Sequence, residues 1–323
     1  IARLVKKYRG SLSGEHGDGR LRGEFIPLML GNHNYSILKT IKHTWDPYNV
    51  LNPGKITDTP SMVESLRYLI DEPYNTPDTT FHFPEKEGIL YAAEKCSGSG
   101  DCRKSSLVGG TMCPSFMATR DEDKSTRARA NILREFLTRS DKKNPFDHRE
   151  IYEIMDLCLS CKACKSECPS NVDMTKLKAE FLNHYYKSHH IPFRTLIIAY
   201  LPRLYKLGKI FRPVTNYLTG TSIFKSVIGF SVKRSIPGIS EITLEKWAAG
   251  KPAQEGKNGK VYLFADEFTN YNESEIGIKA VMLLTKLGYE VVIPKHRESG
   301  RTFLSKGMLD PAKRLATSNV LML

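Results

Sequence analysis

Hydrophobic spacing changes character three times along the chain. Ile37, Leu38, Ile41 and Trp45 recur at intervals of three and four, which predicts a helix that Asp46-Pro47 stops. A shorter helical run at Met62–Ile70 lies among Pro60, Pro73, Pro77 and Pro84, a polar, proline-rich stretch that reads as a linker. Ser125–Leu137 is a strong helix former with Ala128, Ile132 and Phe136 spaced to face inward, and a second helical stretch follows Asp173. Arg194–Arg212 mixes basic and apolar residues at helical intervals and is broken at Pro202 and again at Pro213. Beyond it the period shortens: Lys260–Ala265 and Glu290–Pro294 read as buried strands, Glu275–Leu287 as a helix closed by Gly288, and Asp310–Thr317 as a helix before a third strand at Val320–Leu323. Such alternation predicts a parallel sheet with helices packed on it.

The cysteines add chemistry to this frame. Cys158-Leu-Ser-Cys161-Lys-Ala-Cys164-Lys-Ser-Glu-Cys168-Pro169 is an unbroken iron–sulfur signature, in which three thiolates wrap one cube and the cysteine before proline points to a second. Cys96-Ser-Gly-Ser-Gly-Asp-Cys102 with Gly110-Thr-Met-Cys113-Pro114 repeats the layout, Ser99 standing where the middle cysteine belongs, so all seven cysteines are used. Crossed ligation assigns Cys158, Cys161, Cys164 and Cys113 to one cluster, and Cys96, Cys102 and Cys168 to the other. The first is expected to be a [4Fe-4S] cluster. The second, one thiolate short, is expected to be [3Fe-4S], as in ferredoxins that lack the middle cysteine, or [4Fe-4S] with Ser99 or water at the odd corner. Zinc is the alternative, but it usually draws four ligands from separated pairs, whereas three cysteines in one short loop plus two Cys-Pro steps suit cubes. Arg103, Lys104, Lys162 and Lys165 either tune potential or are solvated loop residues.

Composition narrows the classes further. With 323 residues, 40% hydrophobic and 26% charged, the chain is long enough for two or three domains. Clustered cysteines argue for metal ligation in a reducing compartment, hence the cytoplasm, rather than a secreted disulfide framework. A formal charge of +13 suits anionic partners, but no nucleic-acid-binding motif accompanies it, so nucleic acid is not expected. No run approaches the ~18 apolar residues of a membrane span. The basic, apolar 194–212 stretch can instead lie peripherally on the inner face of the cell membrane, or cap the cluster domain. No Gly-x-Gly-x-x-Gly follows the first strand, which disfavours dinucleotide binding there. Ile1 in place of Met, and a final Val320–Leu323 that reads as a buried strand, give the expectation of a fragment whose targeting signal could lie upstream.

The opening residues carry a second motif. Gly10-Ser-Leu-Ser-Gly-Glu15-His16-Gly17-Asp18-Gly19-Arg20 is a glycine-dense loop presenting a carboxylate and an imidazole, which is either a tight surface turn or a metal and proton-transfer site. Together with Asp46-Pro-Tyr-Asn-Val-Leu-Asn52-Pro-Gly-Lys55, it resembles the C-terminal end of FAD-linked oxidases related to D-lactate, glycolate and D-2-hydroxyglutarate dehydrogenases. The resemblance implies that Glu15 ligates a divalent metal such as zinc, that His16 contacts substrate and takes its hydroxyl proton, and that Asn52 belongs to the cofactor-binding end. It also implies that the remaining metal ligands and most of the FAD domain lie upstream of Ile1. Leu263-Phe-Ala-Asp-Glu-Phe-Thr-Asn-Tyr271 and Ser299-Gly-Arg-Thr-Phe-Leu-Ser-Lys-Gly307 resemble the first half of the cysteine-rich domain of heterodisulfide reductase-like subunits, except that Glu298-Ser299-Gly300 replaces the usual Cys-Cys-Gly.

The expected fold is therefore multidomain and mixed. Residues 1–57 are the C-terminal end of an α+β flavin-oxidase domain, 58–90 a linker, 91–185 an α-helical two-cluster ferredoxin domain, 186–255 a basic helical connector and 256–323 the first half of an α/β domain. The expected function is oxidation of a small-molecule D-2-hydroxy acid, with electrons passing from FAD through two iron–sulfur clusters to a quinone or protein acceptor. The rivals are an electron-transfer subunit with no substrate site of its own, like that of anaerobic glycerol-3-phosphate dehydrogenase, and a cluster-based redox sensor. Glu15-His16-Gly17 disfavours the first, and the lack of a DNA-binding motif the second.

Overall fold

In a computed structural model that describes residues 1–66, 77–83, 88–251 and 256–323, the chain divides into two units, Ile1–Pro73 and Tyr74–Leu323. The first is helical among its described residues: α1 (Ala2–Lys7), α2 (Ile26–Leu30) and α3 (Asn32–Trp45). Asp46 ends α3 as its spacing predicts and organises the turn beyond. Its carboxylate accepts from the Val50 and Leu51 amides, both at 2.8 Å, and from Lys42 one helical turn back. The Asp58 amide donates to the Tyr35 hydroxyl at 2.8 Å, closing the same corner. The stripe Ile37, Ile41 and Trp45 is exposed in this unit, Trp45 by 84%. The helix expected at Met62–Ile70 falls partly outside the described residues, and Met62–Ser65 form a turn.

The second unit opens with α4 (Gly88–Glu94), α5 (Pro114–Thr119), α6 (Thr126–Arg139), α7 (Arg149–Asp156), α8 (Ala163–Glu167) and α9 (Met174–Tyr185). Ser125 and Asp173 cap α6 and α9, each accepting from the amide three residues on, so a short polar side chain before each apolar run sets its start. The core joins Ile89, Leu133, Leu137, Phe146, Ile151, Met155, Leu177 and Phe181, all at most 2% exposed. The inward face of α6 is Arg129, Ala130, Leu133 and Leu137, whereas Ala128, Ile132 and Phe136 are only half-buried, one residue out of register with expectation.

The 186–251 region folds as α10 (Phe193–Ala199), α11 (Leu201–Gly208), α12 (Arg212–Gly220), α13 (Ser222–Val227) and α14 (Leu244–Ala249). Pro202 and Pro213 sit in the first turns of α11 and α12, where a missing amide is harmless, so each proline starts a helix as well as ending its predecessor. The remainder runs β1 (Lys260–Tyr262), α15 (Glu267–Tyr271), α16 (Ser274–Lys286), β2 (Glu290–Val292), α17 (Arg301–Ser305) and α18 (Leu309–Met322). β1 and β2 pair in parallel with Lys260 opposite Glu290 and Val261 opposite Val291. The third strand expected at Val320–Leu323 is overturned: α18 continues through it, leaving Val320 79% and Leu321 82% exposed. Nothing between Thr317 and Val320 breaks a helix, and buried Asn319 fixes its pitch by accepting from the Arg297 amide at 2.7 Å and donating to the Glu298 carbonyl at 3.0 Å.

Candidate iron–sulfur and substrate sites

The cysteine loops are built from residues that tolerate unusual backbone. Gly98, Gly100, Gly109 and Gly110 all take positive φ in the first loop, as do Ser160 and Lys162 in the second. Gly110 has no room for a side chain, because a Cβ there would lie 2.7 Å from Glu167 Oε2. Glu167 reaches from the end of α8 to accept from the Thr111 amide at 2.8 Å, the Thr111 hydroxyl at 2.5 Å and the Met112 amide at 3.0 Å, which holds its carboxyl below the usual range. Ser170 donates to Ser97 at 2.8 Å. The two motifs, distant in sequence, are thus bonded to each other on either side of the cysteines.

All seven cysteines are free, and they fall into two groups. Cys113, Cys158, Cys161 and Cys164 line one small cavity, together with Arg129 and Met174. Cys96, Cys102 and Cys168 line another, with Ser99 and Asp101. Met112 and Thr126 lie between the two and border both. Among the described residues no three His, Cys, Asp or Glu side chains converge on a single-ion point. Sulfurs spread around a cavity, with donors from both motifs in each, match the demand of a polynuclear cluster better than that of one zinc ion.

The two cavities differ electrostatically. Burial opposes ionisation of Cys113, but the Ser115 hydroxyl at 3.3 Å and the Arg129 guanidinium at 3.6 Å outweigh it and bring the thiol down. Burial pushes Cys164 up to about 11, and Cys102 also upward despite the Arg127 amide at 3.3 Å. Cluster assembly must therefore displace protons from these thiols. In the second cavity the Lys104 ammonium and the Ser99 hydroxyl hold the Asp101 carboxyl below its usual range. Arg103 pairs with Glu122 at 2.6 Å and Lys104 with Asp101 at 3.1 Å, while Lys162 and Lys165 are exposed. The cations that matter geometrically were missed from sequence: Arg129, fully buried, and Lys178, 7% exposed. The available signal was a lone basic residue on the inward stripe of each helix, Arg129 among Thr126, Ala130 and Leu133, and Lys178 beside Met174, Leu177 and Phe181.

In the first unit Glu15 and His16 stand on an exposed turn, 3.7 Å apart, between Gly14 and Gly19, both at positive φ. The Ile56 amide donates to the Gly19 carbonyl at 3.1 Å, which ties this loop to the Asn52–Lys55 turn. Asn52 is exposed, with positive φ, and accepts from Lys55 at 3.5 Å. The bond from Ile56 to Gly19 joins the two turns, and the described residues complete no metal site there.

Residues 1–56 match the family of FAD linked oxidases, C-terminal domain, and residues 95–173 match the 4Fe-4S dicluster domain. A D-2-hydroxyglutarate dehydrogenase of Pantoea ananatis is 28% identical over 98% of this chain and 35% of its own length. The Escherichia coli enzyme of that name is 26% identical over 96% of this chain and 35% of its own. The glycolate oxidase subunit GlcD of Bacillus subtilis is 36% identical over 15% of this chain and 10% of its own. The chain thus spans about a third of the length of the first two relatives. No solved structure matches. The chain joins the C-terminal end of an FAD-linked oxidase domain to a 4Fe-4S dicluster domain, and D-2-hydroxyglutarate dehydrogenase homologues cover it almost end to end.

Proposed function

We propose that this chain is the part of an FAD-linked dehydrogenase that completes the substrate site and carries electrons away from it. The observation that carries the reading is the pair of cavities, each collecting cysteines from both motifs, in a chain that also bears Glu15-His16-Gly17. Names of the relatives put D-2-hydroxyglutarate first among substrates, ahead of D-lactate and glycolate. Glu15 would hold a divalent metal such as zinc against the hydroxyl and carboxylate of the acid, and His16 would take the hydroxyl proton. FAD, when bound, supplies the acceptor for the hydride leaving C2. Asn52 would belong to the cofactor-binding end. The cysteines Cys113, Cys158, Cys161 and Cys164 would hold a [4Fe-4S] cluster, and Cys96, Cys102 and Cys168 a [3Fe-4S] cluster or one completed at Ser99. These carry electrons singly to a quinone or protein acceptor. The 256–323 segment is read as the first half of a heterodisulfide reductase-like domain, a reading supported by its parallel pair joined through α16.

Among the described residues no helix is long and apolar enough to cross a membrane. We place the chain in a reducing compartment on its cysteine usage. The test is made on the complete protein, with an artificial electron acceptor and D-2-hydroxyglutarate, D-lactate and glycolate in turn. His16→Asn is expected to lower kcat/KM by about 10² to 10⁴ with flavin still bound. If the complete protein oxidises none of the three acids, the electron-transfer subunit without a substrate site takes its place.

A further inference from the structure

Two buried cations lie at the first group of cysteines: Arg129 lines its cavity, and Lys178 stands behind it on the Cys158 backbone. Arg129 is 0% exposed; its Nη1 lies 3.6 Å from Cys113 Sγ, its Nη2 donates to Ser115 at 3.0 Å, and its Nε donates to the Ile154 carbonyl at 3.0 Å. Lys178 donates to the Cys158 carbonyl at 2.6 Å and to the Asp156 carbonyl at 3.4 Å. Neither makes a close ion pair with a carboxylate among the described residues, although the Asp156 carboxylate favours the charged form of Lys178. Both meet the C-terminal carbonyls of α7, whose negative dipole end accounts for part of their placement. Burial pushes Lys178 down to about 8, and an anionic group bound by the cysteines beside these two cations would favour their charged forms.

We propose that Arg129 and Lys178 raise the reduction potential of the cluster held by Cys113, Cys158, Cys161 and Cys164. The inference rests on the reading that those cysteines hold an iron–sulfur cluster. Reduction adds one electron there, breaks no bond and takes no proton, so the thiolate-bound group becomes more negative by one charge. Arg129 in the cavity wall and Lys178 behind Cys158 are both buried, where water screens the added charge little, and so favour the reduced state. Arg129 acts partly through a charge-assisted bond to the Cys113 sulfur, and Lys178 through space across the Cys158 backbone. The surface cations Arg103 and Lys104 are already paired with carboxylates and solvated, and contribute little.

The test is an EPR-monitored redox titration of the full chain prepared anaerobically, with iron and acid-labile sulfide counted on the same samples. Lys178→Gln and Arg129→Gln keep a donor for the α7 carbonyls while removing the charge. Each is expected to shift the one-electron equilibrium of a single cluster at least tenfold toward oxidised, which is about 59 mV downward. The other cluster stays put, and is recognised as the one altered by Ser99→Cys. Lys178→Arg is expected to restore the wild-type potential, which a role confined to packing would not require. Should Arg129→Gln lose iron, Lys178→Gln decides alone. Potentials unmoved at full iron content, equal shifts in both clusters, or an equal shift from Arg103→Gln would each overturn the proposal. Wild-type chain without sulfide would instead remove the cluster reading beneath it.

Discussion

Asp46 shows how much one side chain can organise. Two amides and Lys42 converge on its carboxylate, chiefly the lysine, and bring its pKa down to about 2. An unfolded aspartate titrates near 3.9, so the stabilisation is complete above about pH 5 and is lost as the pH falls toward 2. Asp46→Asn is expected to lower the unfolding midpoint of this unit at pH 7, followed by circular dichroism, and to flatten its dependence between about pH 5 and pH 2. Unchanged curves would show that the turn is held by other contacts. Ser99 makes the opposite kind of test, because the difference lies in what a residue lacks. If the cavity of Cys96, Cys102 and Cys168 holds three irons, Ser99→Cys should raise iron from roughly seven to roughly eight per chain and remove the oxidised three-iron EPR signal. At this scale the sequence was informative wherever spacing encodes chemistry: the grouping of Cys113 with Cys158, Cys161 and Cys164 is the one the crossed-ligation rule expects. It was silent on Arg129 and Lys178, because a basic residue within a helical run reads as solvated until tertiary packing shows which stripe is inside.

Helices were located well and their faces less well. Caps such as Ser125 and Asp173 are short-range signals, so α6 and α9 begin where local chemistry says. The buried face of α6 follows the cluster cavity instead, and the inward position falls to Arg129 because Cys113 and Ser115 offer it partners. The final residues fail for a related reason: an apolar tetrapeptide is as compatible with a helix as with a strand, and the Asn319 bonds that decide between them are long-range. The α11–α13 segment keeps its mixed character. Leu207, Ile210, Phe211, Tyr217 and Ile223 are each at least 65% exposed, beside Lys206, Lys209 and Arg212. Exposed apolar residues interspersed with cations suit the boundary of an anionic bilayer, although Lys209 and Arg212 also bond backbone carbonyls of residues 239–241. The chain is expected to co-sediment with vesicles containing anionic lipid and not with neutral ones, and Ile210→Glu with Phe211→Glu should abolish the pelleting. Equal recovery with both kinds of vesicle would discard the membrane contact.

On the scale of the whole molecule, the second unit links its cysteine-bearing helices to the later α/β segment through close packing. A Cβ on Gly307 would stand 2.2 Å from Leu182 on α9, so only glycine lets the corner between α17 and α18 settle there. The Thr302 hydroxyl donates to the Ala199 carbonyl at 2.8 Å, and Phe303 and Ala312 close the core beneath. Such long-range fits leave no trace in local periodicity, which is why this packing could not be read in advance. Crossed sharing of the cysteines gives the unit a property that neither motif has alone. Cys168 belongs to one cavity while Cys164, at the start of the same short helix, belongs to the other; Cys102 and Cys113 are divided in the same way. Each inorganic core would thus act as a stitch between two stretches of chain, and unpicking either loosens the cloth that holds its neighbour. Loss of one cluster is then expected to hasten loss of the other, so that iron and acid-labile sulfide assigned to the two should fall together on exposure to oxygen.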